Sequence, residues 1–411
     1  MRETYFKRKE RILNSDPGLP TVAPEDVGLS ATRLHRINRV MQRYIDEGKL
    51  VSIITMVCRQ GKIAHFSCFG TQDTKVPTTR DTIYRIYSMT KPITTVAAMM
   101  LYEEGLFQLD DPVSDFIPEL KNVKVFAGTG VPPEDLEREI TIRHLMTHTS
   151  GMTYGFMGNS PVEQMYNQAK INRPDHSTKE MVQTLATLPL ANQPGTAWRY
   201  SVSTDVLGHF VEVVSGLPLN VFFRERILDP LGMEDTEFWV REGQGHRFAT
   251  NYGPAQEGGI RVIDDPATSK FSSPQKFYSG GGGLVSTASD YIRFCQMMLN
   301  GGAFQGVQLL GRKTVELMTM NHLPDELMPI SLGLTNLSGE GFGLGGAILL
   351  NAAAGGPGSV GTFRWGGAAT TAFWIDYEEE LIGLLLTQFM PANYYRIRAE
   401  FKTLVYQALI G

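Results

Sequence analysis

The stretch Ser88-Met89-Thr90-Lys91 stands at the head of an apolar segment, 94–106, whose pattern predicts a buried helix. Pro92 falls in the first turn, where proline costs no intrahelical hydrogen bond, so we expect the helix to begin just before or at Ser88. Residues three apart share one helix face, which brings the Ser88 hydroxyl and the Lys91 amine within hydrogen-bond reach. Near the positive end of a helix dipole, this pair has the geometry of an activated nucleophile.

Patterns on both sides of this helix predict one antiparallel sheet flanked by terminal helices. Ser30 can cap an amphipathic helix that ends near Gly48, and two β-rich runs follow at 51–58 and 63–69 with a hairpin-length gap between them. The C-terminal part resumes the sheet and closes with a helix. Its predicted strands are 342–350, 361–365, 371–376 and 381–388, and its predicted helix is 393–409.

The middle of the chain is predicted to be largely helical. Strand signals thin out between 109 and 266, where helices are indicated at 141–146, 161–169, 179–188, 203–215 and 220–228. A further helix, 286–299, follows a glycine run at 279–283. We therefore predict an α+β (mixed α/β) fold, with a discontinuous α/β domain at 20–108 and 267–411 and a largely helical domain inserted at 109–266.

The bulk composition favours a globular protein that acts on small molecules. The 411 residues are 42% hydrophobic, which supplies a sizeable core. A total of 38 lysines and arginines against 43 acidic residues gives a net charge of −5, so neither nucleic acid nor an anionic membrane is an expected partner. No run reaches the roughly 18 apolar residues of a membrane helix. The residues up to Gly18 hold no apolar signal-peptide core, which predicts a cytoplasmic protein.

Cysteines and histidines give no indication of a disulfide framework or a metal centre. Cys58, Cys68 and Cys295 are an odd number in apolar surroundings, which suits reduced core thiols. His144 and His148 stand four apart without the glutamate of a zinc-hydrolase helix. We therefore predict no metal and no other cofactor.

The S-x-x-K pattern occurs twice, so the pattern alone does not identify a nucleophile. The second copy, Ser273-Pro274-Gln275-Lys276, lies in a loop flanked by proline and glycine with no apolar helix behind it. Ser88 follows an extended segment and opens a helix, and this context selects the first copy. Taken alone, Ser88 also fits a helix cap and Lys91 a solvated helix lysine.

Separate motifs along the chain resolve that ambiguity. The three that anchor the comparison are Ser88-Met89-Thr90-Lys91, Tyr200-Ser201-Val202 and Trp365-Gly366-Gly367. Supporting segments are 109–112, 144–151, 194–195, 227–233 and 283–287. Together they resemble the penicillin-recognising serine hydrolases, and most closely the class C β-lactamase-like carboxylesterases called family VIII, from about Val27 to the end. The resemblance implies a β-lactamase/D,D-peptidase-like fold.

It also implies a serine acyl-transfer site. A serine hydroxyl is a poor nucleophile until a base takes its proton, and a lysine whose pKa is lowered can be that base. A phenol held beside the lysine can relay the proton. Ser88 is accordingly assigned as nucleophile, with Lys91 and Tyr200 as a coupled base pair whose proton location at each step stays open. Without its partner motifs, Tyr200 would be interpreted as a half-buried tyrosine between helices.

The third motif is expected to border the substrate. By resemblance, Trp365, Gly366 and Gly367 bind substrate, and the backbone amide of Ala368 joins that of Ser88 as an oxyanion hole. A glycine bulge with a packed tryptophan is the structural alternative.

Two departures from the family pattern narrow the substrate. Trp365 stands where β-lactamases and D,D-peptidases usually carry lysine or histidine, and Val202 stands where they commonly carry asparagine. Without these charge and amide contacts, a neutral, fairly apolar ester fits better than a penicillin or a peptide. Arg364 is expected to point away from Trp365, because neighbouring residues on a strand face opposite sides.

We therefore predict a serine carboxylesterase that hydrolyses short to medium-chain acyl esters through an acyl-serine intermediate. A small-molecule ester is the expected partner, and the oligomeric state is left open. The alternatives are a β-lactamase or D-amino-acid peptidase, an acyltransferase with the same Ser-Lys-Tyr site, and a catalytically idle scaffold. Aromatic and methionine-rich pieces at 152–157 and 342–350 are candidates for an acyl pocket, although core filling is the more frequent explanation of such runs.

Overall fold

The structure, a computed structural model, describes residues 17–333 and 335–411. The prediction that the N-terminal residues lack a signal-peptide core concerns a segment of which residues 1–16 lie outside the described part of the chain. The helices are Ala31–Leu34 (α1), Arg36–Asp46 (α2), Thr90–Glu103 (α3), Ile142–Met146 (α4), Pro161–Ala169 (α5), Thr178–Leu185 (α6), Ser203–Ser215 (α7), Leu219–Phe223 (α8), Asp229–Leu231 (α9), Ala288–Leu299 (α10), Arg312–Met318 (α11), Ala352–Gly355 (α12) and Ile397–Tyr406 (α13).

The strands are mostly short outside one large sheet. They are Ser52–Arg59 (β1), Lys62–Gly70 (β2), Tyr84–Arg85 (β3), Asn251–Pro254 (β4), Ile260–Asp264 (β5), Val285–Ser286 (β6), Ala303–Phe304 (β7), Val307–Gln308 (β8), Ser331–Leu332 (β9), Thr335–Asn336 (β10), Glu340–Phe342 (β11), Ala347–Leu349 (β12), Phe363–Gly366 (β13), Ala372–Asp376 (β14) and Leu381–Thr387 (β15).

A seven-stranded antiparallel sheet joins the two ends of the chain. Its strand order is β11-β12-β13-β14-β15-β1-β2, and β1 pairs with β15 in a register that places Thr55 opposite Leu385. Because β1 and β2 come from the N-terminal part and the other five strands from the C-terminal part, the sheet forms only when both parts meet. The predicted mixed α/β fold with an antiparallel sheet is confirmed.

Alternation along the central strands supplies a core on each face of the sheet. Ile53 and Val57 of β1 point to a cluster with the terminal helices, in which Met41 of α2 and Phe401 of α13 are buried. Met56 points to the larger cluster that contains α3, α10 and the helices of the middle region. Each such fully buried aliphatic side chain stabilises the fold by about 1.5–3 kcal/mol. The sheet is therefore the middle layer of three.

The structure corrects several predicted boundaries. The single strand predicted over 342–350 is wrong, because β11 and β12 form a hairpin there. Gly345 turns the chain with a φ of +88°, and a Cβ at that position would lie 2.4 Å from the Thr95 hydroxyl oxygen, so the reversal needs glycine. The predicted last helix begins at Ile397 rather than 393.

The middle region carries helices α4 to α9 and the hairpin of β4 and β5. The domain boundaries proposed from sequence stay a prediction. Across the described residues, no single helix is both long and apolar enough to cross a membrane. Among the described residues, one pair of consecutive helical segments, Ser203–Ser215 and Leu219–Leu231, reaches the required length and hydropathy together, and the two segments are bent by 81° relative to each other.

A short ladder fixes the chain just before Ser88. β3 pairs with β6, and α10 begins directly after β6. In the first turn of α10 the Asp290 carboxylate accepts hydrogen bonds from the Asp235 N–H (2.8 Å) and the Thr236 hydroxyl (2.9 Å). Burial, together with the nearby Asp235 carboxylate, raises the pKa of Asp290 to about 7. The protonation state of Asp290 therefore makes the stability of the structure that holds the Ser88 segment depend on pH.

We predict that Asp290→Asn changes how stability varies with pH. Between about pH 4 and 7 the folded protein keeps a proton on Asp290 that the unfolded chain has lost, so wild-type stability falls as pH rises through this window. Asparagine has no such proton. Thermal melts should show the Tm of wild type minus that of Asp290→Asn declining up to about pH 7 and then levelling. Parallel curves would contradict the assignment.

Candidate active site

Ser88 sits in a tight turn between a strand and a helix. It lies in a 3₁₀ turn, Tyr87–Met89, that runs directly into α3, as the position of Pro92 predicted. Tyr87 has a φ of +43°, and the Tyr291 hydroxyl donates to the Met89 carbonyl at 2.8 Å. The Leu284 N–H donates to the Thr90 hydroxyl at 3.1 Å. The turn is therefore held from both sides and leaves the Ser88 side chain partly accessible.

The structure brings Ser88, Lys91 and Tyr200 together. The Lys91 Nζ lies 3.3 Å from the Ser88 Oγ, and the Tyr200 hydroxyl lies 2.6 Å from the same oxygen. The Lys91 Nζ also lies 4.5 Å from the centre of the Tyr200 ring. Tyr200 comes from the segment just before α7, so the site lies where the helical middle region meets the sheet-bearing part.

Lys91 is almost completely buried, and its amine is surrounded by acceptors. Lys91 is only 1% exposed. Besides Ser88, the Nζ donates to the Gly281 carbonyl at 2.6 Å and to the Tyr154 hydroxyl oxygen at 3.1 Å. A buried amine without such partners would cost several kcal/mol, on the order of the desolvation penalty for a polar group. The three contacts fix its position.

Tyr154 and Asp205 form a second layer around the lysine. The Tyr154 hydroxyl donates to Asp205 Oδ2 at 3.2 Å, so its lone pairs face Lys91. Asp205 Oδ1 accepts from the Ser279 hydroxyl at 2.5 Å and from the Gly281 N–H at 3.0 Å. Burial, followed by the charge of Asp205, raises the pKa of Tyr154 well above its usual value, so this phenol keeps its proton.

Gly281 closes this network because the backbone must pass very near it. A Cβ at position 281 would lie 2.5 Å from Asp205 Oδ2 and 2.8 Å from the Tyr154 hydroxyl oxygen. Only glycine lets the chain offer its N–H to Asp205 and its carbonyl to Lys91 at once. The glycine run that the sequence placed before a helix is therefore part of the site.

Uncharged aromatic rings pack around Tyr200, whose hydroxyl contacts the nucleophile; we call them the aromatic wall. The ring of Tyr200 lies 5.4 Å from that of Trp365 and 4.8 Å from that of His148. Phe342 packs edge-on against Trp365 at 5.2 Å, and Trp198 packs against Phe342 at 5.4 Å. Burial, and then the charge of Lys91, hold the pKa of His148 well below its usual value, so the histidine stays neutral.

The Gly366-Gly367 pair lets the end of β13 approach the nucleophile segment. A Cβ at Gly367 would lie 2.3 Å from the Ile86 carbonyl oxygen. Arg398 of α13 donates to the Gly367 carbonyl at 2.5 Å and to the Thr371 carbonyl at 2.8 Å, and so braces the turn after the strand. Within the described part of the chain, the N–H of Ala368 in this turn has no hydrogen-bond acceptor.

The other residues that the sequence offered as candidates for the site have structural roles. His144 accepts from the Thr141 N–H at 3.1 Å in a helix capping box, and the described residues hold no cluster of three ligands suited to a metal. Ser273 is exposed in a loop, and its neighbour Gln275 donates to it. The Arg364 side chain pairs with Glu340 on the neighbouring hairpin. All three cysteines are free thiols.

Sequence reasoning missed four residues of the network and one brace. Tyr154 lay in a segment interpreted only as pocket or core, and Asp205, Ser279, Gly281 and Arg398 were not singled out. The glycine run and the acid in the first turn of α7 were the available signals. Met152, from the same candidate pocket segment as Tyr154, is 1% exposed and belongs to the core.

Comparison with known proteins gives one family and several relatives. The chain matches the family described as Beta-lactamase over residues 37–407. It is 39% identical over 359 residues to an uncharacterized protein of Mycobacterium tuberculosis (strain CDC 1551 / Oshkosh), covering 84% of this chain and 88% of that protein. It is 30% identical over 380 residues to Esterase EstB of Burkholderia gladioli, covering 87% and 91%.

A solved structure is similar to this chain over nearly its whole length. EstCE1, described as a hydrolase with promiscuous acyltransferase activity, superposes with a TM-score of 0.78 at 28% identity. The superposition covers 91% of this chain and 99% of that one. The similarity therefore extends over almost the whole architecture rather than over the motifs alone.

We predict that Gly281→Ala damages the site without unfolding the protein. The added Cβ must displace Asp205 or Tyr154, and with them the acceptors of Lys91, so kcat for a p-nitrophenyl ester should fall by about tenfold or more. Gly245→Ala is the control, because a Cβ there meets nothing within 4 Å. Equal activities of the two variants at equal Tm would refute the role of Gly281.

Removing the Tyr154 hydroxyl should act mainly on kcat. Tyr154→Phe leaves one Lys91 N–H without its acceptor, at a cost of about 1–3 kcal/mol, which corresponds to a fall in kcat of about five- to 150-fold. KM should change little, because the hydroxyl is buried and its hydrogen bonds are made to Lys91 and Asp205. Steady-state kinetics check this, and a variant with normal kcat and raised KM would instead mark Tyr154 as a substrate contact.

Proposed function

The chain belongs to the Beta-lactamase family and is a serine hydrolase with esterase relatives, and from this premise we propose that it is a carboxylesterase with Ser88 as nucleophile. The observation that carries the proposal is the meeting of the Ser88 Oγ with the Tyr200 hydroxyl at 2.6 Å and the Lys91 Nζ at 3.3 Å. A base within hydrogen-bond reach of a hydroxyl is what acyl transfer requires.

In the acylation step the Ser88 Oγ attacks the ester carbonyl carbon while its proton passes to the Lys91–Tyr200 pair. The N–H groups of Ser88 and Ala368 receive the oxyanion, a role supported by the free Ala368 N–H in the described structure. Collapse of the tetrahedral intermediate breaks the ester C–O bond, and the alcohol leaves with the proton. Water then attacks acyl-Ser88 by the reverse route and releases the acid.

The polarity of the network explains how Lys91 can serve both steps without moving. The Gly281 carbonyl oxygen and the Tyr154 hydroxyl oxygen each accept a hydrogen bond from the Lys91 Nζ. The Tyr154 oxygen can accept because its own proton is donated to Asp205. The third Nζ position faces Ser88. As a neutral amine it offers a lone pair to the Ser88 proton, and as an ammonium it donates that proton back towards the same oxygen. Both forms keep the same two anchoring bonds.

The aromatic wall supports a neutral, fairly apolar ester of short to medium chain length around the reacting carbonyl. Trp365 packs against the Tyr200 ring, is 4% exposed and brings no charge to the surroundings of Ser88. Val202 is fully buried and offers no amide to a substrate. A peptide or β-lactam amide would leave its polar groups unpaired against such a wall.

Acyl transfer to an alcohol is the second candidate activity. It is favoured by the solved relative EstCE1, whose description joins hydrolysis with promiscuous acyltransferase activity. An alcohol held beside acyl-Ser88 would compete with water for the acyl group. The balance between the two fates is measurable as the ratio of ester to acid formed when a primary alcohol is added.

We predict that Ser88→Ala abolishes both adduct and turnover. With a p-nitrophenyl ester, intact-mass spectrometry should detect an acyl adduct on wild type only, and kcat/KM should fall by at least about 10⁴-fold in the variant. Ser273→Ala, in the second S-x-x-K copy, is the matched control. An adduct that persists in Ser88→Ala would remove Ser88 as nucleophile. Faster turnover of a cephalosporin than of the ester would favour a β-lactamase.

Lys91→Ala and Tyr200→Phe should each lower kcat by about 10²–10⁴-fold while the Tm stays within a few degrees of wild type. The reason is that each variant leaves Ser88 with only one of its two partners. Stopped-flow measurement of p-nitrophenol release separates acylation from deacylation. Near-normal acylation in either variant would exclude that residue from the first proton transfer.

A further inference from the structure

His148 contacts both chain neighbours of Tyr200 as well as its ring. The His148 carbonyl accepts a hydrogen bond from the Arg199 N–H at 2.8 Å, and the His148 Nδ1 lies 3.3 Å from the Ser201 Oγ. The imidazole and the Tyr200 ring have their centres 4.8 Å apart. One residue of the loop after α4 therefore holds the chain on each side of the tyrosine.

Tyr200 depends on this support because its own backbone is not anchored. Within residues 17–333 and 335–411, its N–H and its carbonyl have no hydrogen-bond partner. It also lies outside α7, which begins at Ser203. The position of its hydroxyl, 2.6 Å from the Ser88 Oγ, is therefore set by the neighbouring residues and by the packing of its ring.

His148 is held in a strained backbone conformation. Its φ is +58°, in the left-handed region that favours glycine, and the residue is 1% exposed. The next residue, Thr149, donates its N–H to the His144 carbonyl at 3.0 Å and accepts from the Gly195 N–H at 2.7 Å. Strain of this kind persists where the surrounding structure over-determines it, and it clusters at active sites. Here that conformation lets one residue offer both its carbonyl and its imidazole to the Tyr200 segment.

The contact with Ser201 belongs to a buried chain of hydroxyl groups. The Ser201 Oγ lies 2.7 Å from the Ser203 Oγ, which in turn lies 2.7 Å from the Ser150 Oγ, and the three serines are fully buried. Moving the Tyr200 segment would leave some of these polar groups without partners, which costs free energy. The imidazole stays neutral because burial and then the charge of Lys91 lower its pKa, so it acts on the tyrosine through contacts rather than charge.

We propose that His148 is a positioning residue that holds the Tyr200 phenol at the Ser88 Oγ and beside the Lys91 Nζ, by fixing both chain neighbours of the tyrosine and one side of its ring. The proposal rests on the proposed function, because the reaction that it serves is acyl transfer by Ser88. A misplacement of about 1 Å in a reacting group can lower a rate by about 100-fold, so the contacts of His148 act on kcat rather than on substrate binding.

Two substitutions that both tolerate a positive φ test this role without straining the backbone. His148→Gly removes the imidazole and should lower kcat for p-nitrophenyl butyrate by about 10- to 100-fold, with KM within about twofold of wild type. His148→Asn keeps a polar atom at the δ position and should have a kcat at least about fivefold higher than that of His148→Gly. Glu380→Gly, at another positive φ in the turn between β14 and β15, is the control and should keep the wild-type kcat.

The effect must also pass through Tyr200. In a Tyr200→Phe background there is no phenol to position, so His148→Gly should lower kcat by less than about twofold further. A purely structural role would give the same fall in both backgrounds. Ser201→Ala removes the Nδ1 contact from the other side and should lower kcat by about three- to tenfold, which tests the proposal even if His148→Gly does not fold.

Wild-type kcat in His148→Gly or in Ser201→Ala, no recovery in His148→Asn, or an equal fall in the Tyr200→Phe background would overturn the proposal. Failure of the esterase itself would instead appear as no turnover of p-nitrophenyl butyrate by wild type. In that event a crystal structure of His148→Gly decides the matter separately. A Tyr200 hydroxyl moved out of hydrogen-bond reach of the Ser88 Oγ, beyond about 3.5 Å, supports the proposal, and an unchanged contact refutes it.

Discussion

A lysine amine that is almost wholly buried must have its N–H groups satisfied, and this requirement organises the centre of the molecule. Lys91 meets it with the Gly281 carbonyl and the Tyr154 hydroxyl, leaving its remaining position for Ser88. Asp205 anchors both of those acceptors. Four separate pieces of chain therefore have to arrive together before the amine can be placed.

The same requirement explains why the site lies at the junction of the sheet-bearing part and the helical middle region. α3 carries Lys91 and packs into the core on one face of the sheet, whereas Asp205 and Tyr200 belong to α7 and the segment before it. The sheet in turn needs both ends of the chain, because β1 pairs with β15. The distances around Ser88 thus depend on the assembly of the whole fold rather than on a local motif.

The surroundings of the reacting carbonyl carry little charge besides that of Lys91. The aromatic wall is neutral even at His148, whose pKa is held low by burial and by Lys91. Arg398 donates its hydrogen bonds to backbone carbonyls and so holds the turn beyond Gly367 in place. An apolar surrounding strengthens the hydrogen bonds inside it, so the few polar groups at Ser88 act with more effect than they would in water.

The sequence predicted the parts of the site that are local or follow a family pattern. Ser88 and Lys91 are three residues apart on one turn, and the mixed α/β fold followed from the strand and helix patterns at the two ends. Tyr154, Asp205 and Gly281 were missed because their contacts join residues 51 to 190 positions apart, for which periodicity carries no signal. The hairpin at Gly345 was missed because its turn lies inside a continuous apolar run.

The central claim is that this network activates one hydroxyl, and covalent labelling tests it most directly. The protein would be treated with a p-nitrophenyl alkylphosphonate, which forms a stable bond with an activated serine, and then digested and mapped by mass spectrometry. The account predicts one phosphonyl group per chain, located on Ser88, and markedly slower labelling in Tyr200→Phe. Labelling on Ser273, on several serines, or at the same rate in Tyr200→Phe would contradict it.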